Sequence, residues 1–358
     1  MLNVLIAGGG SGGHVAPAIA AAEALTQQGT TVLLAHSSRK IDSEMLSDST
    51  FEGIALPASP LSTTPLGFVH FCFGFLKSSQ KVRTLLKERN IDCVLATGGF
   101  VAAPALYAAR KEGCKTVLLN LDDPPGKANR LAVRWADTIL STVNCTLRDA
   151  VLIAPPLRES VINNSNVRKC KATFGLLPNK MTLLITGASQ GASTINQFLP
   201  ALAIQNPAMF NGWEILHIAG TAHVEDVELA WKEANVPCKV IGFTQSMGDA
   251  WGAADLAVTR GGANTIAEIA MNAVPSIVMP YPYHNDDHQR TNAMPLEKIG
   301  GIVIAKDHKN LSENLGDGGN QILHLLRDHQ RRINMRQSML KAAPSNGADT
   351  IAAACLNK

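Results

Sequence analysis

The sequence predicts an α/β protein made of two doubly wound, parallel-sheet domains. Three observations lead there. Short β-branched or leucine-rich runs alternate with helix-length segments along the chain. The runs are continuously apolar, as in strands covered by helices on both faces. The series occurs twice, and each time it opens on a strand running into a glycine-rich loop.

The first series places strands at Asn3–Ala7, Thr31–His36, Cys93–Thr97, Lys115–Asn120 and Thr138–Ser141. The second places them at Met181–Thr186, Glu214–Ala219, Lys239–Phe243, Leu256–Thr259 and Ser276–Pro280. The boundary is expected at the Ala154–Arg158 turn, APPLR. That gives domains of residues 1–157 and 158–340, and a tail, 341–358, whose last helix can return to either domain. A length of 358 residues suits two domains, and 46% hydrophobic residues supply two cores.

Composition removes several function classes. A net charge of +3 gives no whole-chain field for nucleic acid. The seven cysteines (Cys72, Cys93, Cys114, Cys145, Cys170, Cys238 and Cys355) are scattered, odd in number and without a C-x-x-C pair. This pattern fits a reducing compartment better than a disulfide framework or zinc ribbon. The start, MLNVLIAGG, reads as a strand and not as a signal peptide. No apolar run reaches the roughly 20 residues that span a bilayer, so a cytoplasmic protein is expected, with membrane contact left open.

Glycines at a strand-to-helix turn let the backbone approach a ligand, and the following helix aims free N–H groups at it. Three such loops occur: Gly8–Gly13, Thr97–Phe100 and Gly187–Ala192. Any one of them alone is equally a tight turn; three on corresponding strand ends point to phosphate. The first matches G-x-G-x-x-G through Gly8, Gly10 and Gly13, which raises a nicotinamide enzyme as a rival. That reading also needs an acid at the end of the second strand, where the chain reads Leu34-Ala-His-Ser-Ser-Arg39. His14 follows the first loop at a helix start. The positive end of a helix favours a neutral imidazole, and a neutral imidazole can act as a base. A packing or capping histidine is the plainer alternative.

In the second domain Asp255–Glu268 is another strand, glycine turn and helix. Ala263, Asn264 and Thr265 lie at the helix start, where phosphate oxygens can bind. Glu268 lies about a turn further on. Its carboxylate can accept two vicinal hydroxyls, as on a ribose, or simply stabilise the helix dipole. The stretch Met279–Gln289 follows a strand end, and Asp287, His288 and Gln289 are groups suited to sugar hydroxyls. His284, Asp286, Asp287 and His288 are metal-ligand types without ligand spacing, so no metal and no cofactor is expected.

Together GGGSGGHVAPAIA, TGGFVAAPALYAA, GASQGASTIN, RGGANTIAEI and PYPYHNDDHQRTNAMPLEKIG, in this order, resemble the MurG family over most of the chain. The resemblance implies the GT-B fold, two Rossmann-like domains with a cleft between them. It implies an inverting transfer of N-acetylglucosamine from UDP-N-acetylglucosamine to lipid I, the undecaprenyl-diphosphate-linked muramyl pentapeptide, to give lipid II for peptidoglycan. It implies that Ser11, Gly12, Gly13 and His14 form the first loop, with His14 matching the base. Arg158, Ser189, Ala263, Asn264, Thr265, Ile266, Ala267, Glu268 and Gln289 match donor-binding positions, Glu268 at the ribose and Gln289 at the transferred sugar. Thr244 is assigned to substrate binding with them.

One segment departs from the family pattern. The family has His-Glu-Gln-Asn before a P-G-x-x-N-R turn. Here Pro125–Arg130 is intact, but Leu119, Asn120, Leu121 and Asp122 precede it. Asp122 stands where an asparagine contacts the donor sugar, and an ionised aspartate accepts hydrogen bonds without donating. Asn264 stands where many relatives carry leucine.

Leu66–Leu76 holds Phe68, Phe71, Phe73 and Phe75, and Lys77, Lys81, Arg83, Lys87 and Arg89 follow. An aromatic apolar stretch beside a basic run suits an anionic membrane surface, and a buried helix is the alternative. The expectation is a peripheral protein on the cytoplasmic side of the inner membrane. Its partners are UDP-N-acetylglucosamine and an undecaprenyl-linked acceptor, and no nucleic acid. Four rivals share parts of this pattern: a UDP-sugar 2-epimerase, a nicotinamide oxidoreductase, another GT-B transferase with a different lipid acceptor and a non-catalytic nucleotide-sugar sensor.

Overall fold

The computed structural model describes every residue except 1, 11, 48, 63, 188–191, 284–286 and 358, and the side chains at 41, 44, 45 and 47. The chain divides into two compact units, residues 1–158 with 346–358, and residues 159–345.

In chain order the first elements are β1 (Asn3–Gly8), α1 (Gly12–Gln27), β2 (Thr31–Ser37), α2 (Lys40–Ser47), β3 (Gly53–Leu56), α3 (Pro65–Glu88), β4 (Cys93–Gly98), α4 (Ala102–Glu112), β5 (Lys115–Asn120), α5 (Lys127–Ala132), β6 (Thr138–Ser141) and β7 (Val151–Leu152). There follow α6 (Val167–Thr173), β8 (Met181–Thr186), α7 (Ser193–Gln205), β9 (Trp213–Ile218), α8 (Val224–Glu233), β10 (Cys238–Ile241), α9 (Met247–Ala253), β11 (Leu256–Thr259), α10 (Ala263–Asn272), β12 (Ser276–Val278), α11 (His288–Lys298), β13 (Ile302–Ile304), α12 (Leu311–Arg327), α13 (His329–Lys341) and α14 (Gly347–Leu356).

Among the described residues the first unit holds a seven-stranded sheet ordered β3-β2-β1-β4-β5-β6-β7, and the second a six-stranded sheet ordered β10-β9-β8-β11-β12-β13. All pairings are parallel. The order reverses between β1 and β4 in one sheet and between β8 and β11 in the other. Strands β1, β4, β8 and β11 therefore deliver their loops to the two switch points, where open α/β sheets bind ligands.

Burial follows the strand period of two. Val4 and Ile6 pack with residues of α1 and α14, while Leu5 and Ala7 pack with Val82 of α3 and Leu106 of α4. In the second unit Leu183 and Ile185 face α7, α8 and α12, and Leu184 faces Trp251 of α9 and Ile269 of α10.

Asn346 fixes the last helix to the first unit. Its Oδ1 accepts from the amides of Leu157 (2.8 Å) and Ala348 (3.0 Å), and its Nδ2 donates to the Leu157 carbonyl (2.8 Å). The side chain thus caps α14 and clasps the APPLR turn together.

Three strands lack a sequence signal of their own. β3 and β7 are short, largely exposed edges, and β13 has three residues. Edge strands bury little, so their apolar runs are brief.

Candidate functional site

The first unit brings two glycine loops together at its switch point. Gly99 has φ +75°, and a Cβ there would lie 1.6 Å from the Gly9 carbonyl oxygen. Gly98 has φ +116°, and a Cβ there would lie 2.4 Å from Nδ1 of His14. Both positions require glycine, on conformation and on space. His14, half-buried near the start of α1, points Nδ1 at the Thr97 carbonyl (3.2 Å), and the Thr97 hydroxyl donates to the His14 carbonyl (2.9 Å). A carbonyl only accepts, so Nδ1 carries the proton, and in the neutral ring Nε2 is the acceptor. Gly12 opens α1 and Gly13 is exposed beside it, while Ser11 lies outside the described residues.

Two residues at this loop carry no motif in the sequence. Asp42 of α2 is fully buried, and its Oδ2 accepts from the Gly10 amide (2.6 Å), the Ser37 hydroxyl (2.5 Å) and the Ser37 amide (3.2 Å). Arg39 donates to the Gly10 carbonyl (2.7 Å), and its guanidinium lies 5.2 Å from the centre of the Phe100 ring. The acid lies five residues past the end of β2, beyond the strand terminus where a ribose-binding acid was sought. It is bonded to the loop itself.

The departing segment forms its own network. Asn120 donates to the Asp122 carbonyl (2.8 Å) and the Ser141 hydroxyl (3.2 Å), and receives a bond from Asn129 of the P-G-x-x-N-R turn (3.1 Å). The Asp122 side chain is exposed. Arg158, half-buried, is the last residue of the first unit's main segment.

In the second unit, Ser189 and the tip of the glycine loop lie outside the described residues. At the other side of the switch point Gly262 is the N-cap of α10 and offers no side chain to its first turn. Ala263 and Asn264 are exposed, Thr265 and Ala267 half-buried and Ile266 buried in the core. Gln289 turns its Oε1 inward, accepting from the amides of Gly261 (3.1 Å) and Tyr281 (2.9 Å), and Asn292 donates to the Gly261 carbonyl (3.2 Å). α11 therefore holds the glycine turn in place, and the amide nitrogen of Gln289 takes no part in those two bonds. Glu268 is half-buried and accepts from the Trp251 indole N–H (2.9 Å). Thr244 accepts from the Ser246 amide (3.0 Å), a local turn.

Beneath this turn Arg260, 5% exposed, pairs with Asp307 (2.8 Å) and donates to the Met279 carbonyl (2.9 Å) and the Thr194 hydroxyl (2.5 Å). Burial pushes the Asp307 carboxyl up. The Thr194 hydroxyl, the Lys309 amide and Arg260 outweigh it and hold the carboxyl below its ordinary range. A cavity of about 570 Å³ opens beside these groups, lined by Tyr281, Asp287, Arg290, Lys306 and Lys309 among others. Among the described residues no group of three or more His, Cys, Asp or Glu side chains is set to hold a metal ion.

On α3, Leu66, Phe68, Val69, Phe73 and Leu76 are exposed, and most of them share one helical face. Phe75 differs from the expectation that all four phenylalanines face a membrane. It packs against Tyr107 (5.5 Å between ring centres) and Trp135 (6.1 Å) at the edge of the core, with Phe71 half-buried beside it. The basic run is partly paired as well: Arg83 and Lys87 with Glu112, and Arg89 with Glu52. No described helix is long and apolar enough to cross a membrane.

Two doubly wound units, each with glycine turns and helix starts at its switch point, give the GT-B architecture of a nucleotide-sugar enzyme. The family model described as glycosyltransferase family 28 N-terminal domain matches residues 4–141, and the one described as its C-terminal domain matches residues 182–351. The chain belongs to glycosyltransferase family 28 and, within it, to the MurG family. It is 32% identical over 346 residues to the UDP-N-acetylglucosamine–N-acetylmuramyl-(pentapeptide) pyrophosphoryl-undecaprenol N-acetylglucosamine transferase of Streptomyces coelicolor, covering 94% of this chain and 93% of that one. It is 30% identical to the Halalkalibacterium halodurans protein of the same name, covering 98% and 97%. The crystal structure of Acinetobacter baumannii MurG shares the fold with a TM-score of 0.74 at 24% identity, over 99% of both chains.

Proposed function

We propose that this enzyme transfers N-acetylglucosamine from UDP-N-acetylglucosamine to the muramyl 4-hydroxyl of lipid I, forming lipid II. The observation that carries the chemistry is the His14–Thr97 contact, which leaves Nε2 as a proton acceptor beside two glycine loops. The relatives' shared name supports the substrates.

In this reading the second unit binds the donor. Glu268 accepts the ribose hydroxyls, and the open first turn of α10, from Ala263 to Thr265, meets the diphosphate with Ser189. The amide nitrogen of Gln289 donates to the sugar, and Ile266, Ala267, Thr244 and Arg158 border the nucleotide, with Asp122 at the sugar. The first unit takes the acceptor, its diphosphate at the loop of Ser11, Gly12 and Gly13. Nε2 of His14 removes the proton from the 4-hydroxyl as that oxygen bonds to the anomeric carbon, from the face opposite the leaving UDP. The configuration inverts, and helix N-termini stabilise the charge that develops on the diphosphate.

The exposed stripe of Leu66, Phe68, Val69, Phe73 and Leu76, with Lys77 beside it, is the surface proposed to rest on the cytoplasmic face of the inner membrane. A lipid-tailed acceptor requires such a contact.

The test is transfer of radiolabel from UDP-N-acetylglucosamine to a lipid I analogue by wild type and His14→Ala. Transfer that is lost in the variant while UDP binding persists supports both the reaction and the base. Binding of UDP without transfer by wild type rules out this acceptor.

A further inference from the structure

Trp251 is 1% exposed, and its indole N–H, which can only donate, has one carboxylate oxygen of Glu268 as its acceptor at 2.9 Å. The backbone at Glu268 is tied down independently. Asn272 donates to the Glu268 carbonyl (2.8 Å) and to the Val161 carbonyl (2.9 Å), and its own oxygen accepts from the Asn163 amide (2.7 Å). A glutamate has three side-chain torsions to order before it can meet a rigid diol. Here the helix holds its base, and a core indole, packed with Leu184, Ile266 and Ile269, holds its tip. The bond takes Oε2 in one direction and restrains the turn of the carboxylate.

From this we infer that Trp251 is a positioning residue that makes the nucleotide site selective for a ribose over a deoxyribose. The inference rests on the reading of Glu268 as the ribose contact. A vicinal diol donates two hydrogen bonds across one carboxylate, so it gains most when the carboxylate plane is fixed beforehand. Without the indole the restraint on Oε2 is lost, and the second hydroxyl loses part of its advantage.

The experiment is calorimetric titration of UDP and 2′-deoxy-UDP into the full chain, as wild type, Trp251→Phe, Glu268→Ala and the double variant. Wild type is expected to prefer UDP by roughly tenfold, the size of one well-made hydrogen bond. In Trp251→Phe the ratio drops towards one, and in the Glu268→Ala background the same change does nothing further. A folded Trp251→Phe protein with the wild-type ratio overturns the inference and leaves the ribose reading of Glu268 intact. A wild type that binds both nucleotides equally overturns the ribose reading and the inference with it. Should Trp251→Phe fail to fold, the wild-type indole ¹⁵N–¹H resonance, identified as the one that Glu268→Ala displaces, decides. A larger shift with UDP than with 2′-deoxy-UDP supports the inference, and equal shifts overturn it.

Discussion

His14 and Thr97 hold each other reciprocally: the imidazole Nδ1 donates to the threonine carbonyl at 3.2 Å, and the threonine hydroxyl donates to the histidine carbonyl at 2.9 Å. One contact selects the tautomer and the other fixes the helix turn that carries the ring. The proposed base, in the first turn of α1, is thus held from the end of β4.

Gly98→Ala should therefore damage the reaction without touching any substrate. A Cβ at that position meets the ring at 2.4 Å, and the backbone already has φ +116°. The expected loss in kcat is about 10²-fold or more, the range for misplacing a general base, with the KM for donor little changed. Steady-state kinetics decide, and an unaltered kcat in a folded variant removes His14 from the mechanism.

Much of this was legible in the sequence because strands, glycine turns and helix starts are local. The ten strands expected from apolar runs are all present, with ends shifted by a few residues at most. What stayed hidden depends on distance along the chain. Asp42 reaches Gly10 across 32 residues and Trp251 reaches Glu268 across 17, and neither pair has a spacing rule. Phe73 and Phe75 lie two residues apart and look alike in the sequence. Helical geometry turns one out to solvent and the other towards Tyr107 and Trp135.

Asp42→Asn keeps the size of the side chain but removes the charge that draws three hydrogen bonds onto one oxygen. Charge-assisted bonds of this kind are worth more than neutral ones, so a stability loss of about 1–3 kcal/mol is expected. Because the Gly10 amide loosens, the KM for the lipid acceptor should rise while that for the donor holds. Denaturant melts and paired KM values check it, and equal changes in both KM values count against a local effect.

Phe73 and Phe75 should separate by function. Phe73→Ser, with Phe73 61% exposed, should lower sedimentation with anionic vesicles and leave the melting temperature unchanged. Phe75→Ser should cost about 2 kcal/mol of stability, since it removes a half-buried ring from an aromatic cluster. Vesicle binding unaffected by Phe73→Ser would defeat the membrane assignment of this face.

Asp307→Ala leaves Arg260 buried without its counter-ion, beneath the turn that starts α10. Removing one partner of a buried pair typically costs about 3–5 kcal/mol. Urea denaturation should show that loss, and donor affinity should drop with it because Gly261 and α10 follow Arg260 directly. Asp307→Asn, whose single oxygen can still accept from the Lys309 amide, should recover part of the stability.

His217 predicts how stability responds to acid. The ring is fully buried between Asn196, which faces Nε2 at 3.0 Å, and Trp231, whose indole donates to Nδ1 at 3.0 Å. Burial pushes its pKa from 6.5 down to about 3. The unfolded chain therefore takes up a proton near pH 6.5 that the folded chain refuses until about pH 3. The stabilising contribution is complete above the unfolded value and is lost as the pH falls. Between pH 7 and pH 5 the loss from this one group is about 2 kcal/mol. His217→Gln should start less stable at neutral pH, because the packing is disturbed, yet show a flatter decline over the same interval. Urea titrations of both proteins at several pH values give the two slopes. Parallel slopes would mean that His217 is protonated in the folded state, and that the hydrogen bond from Trp231 is not made to a neutral ring.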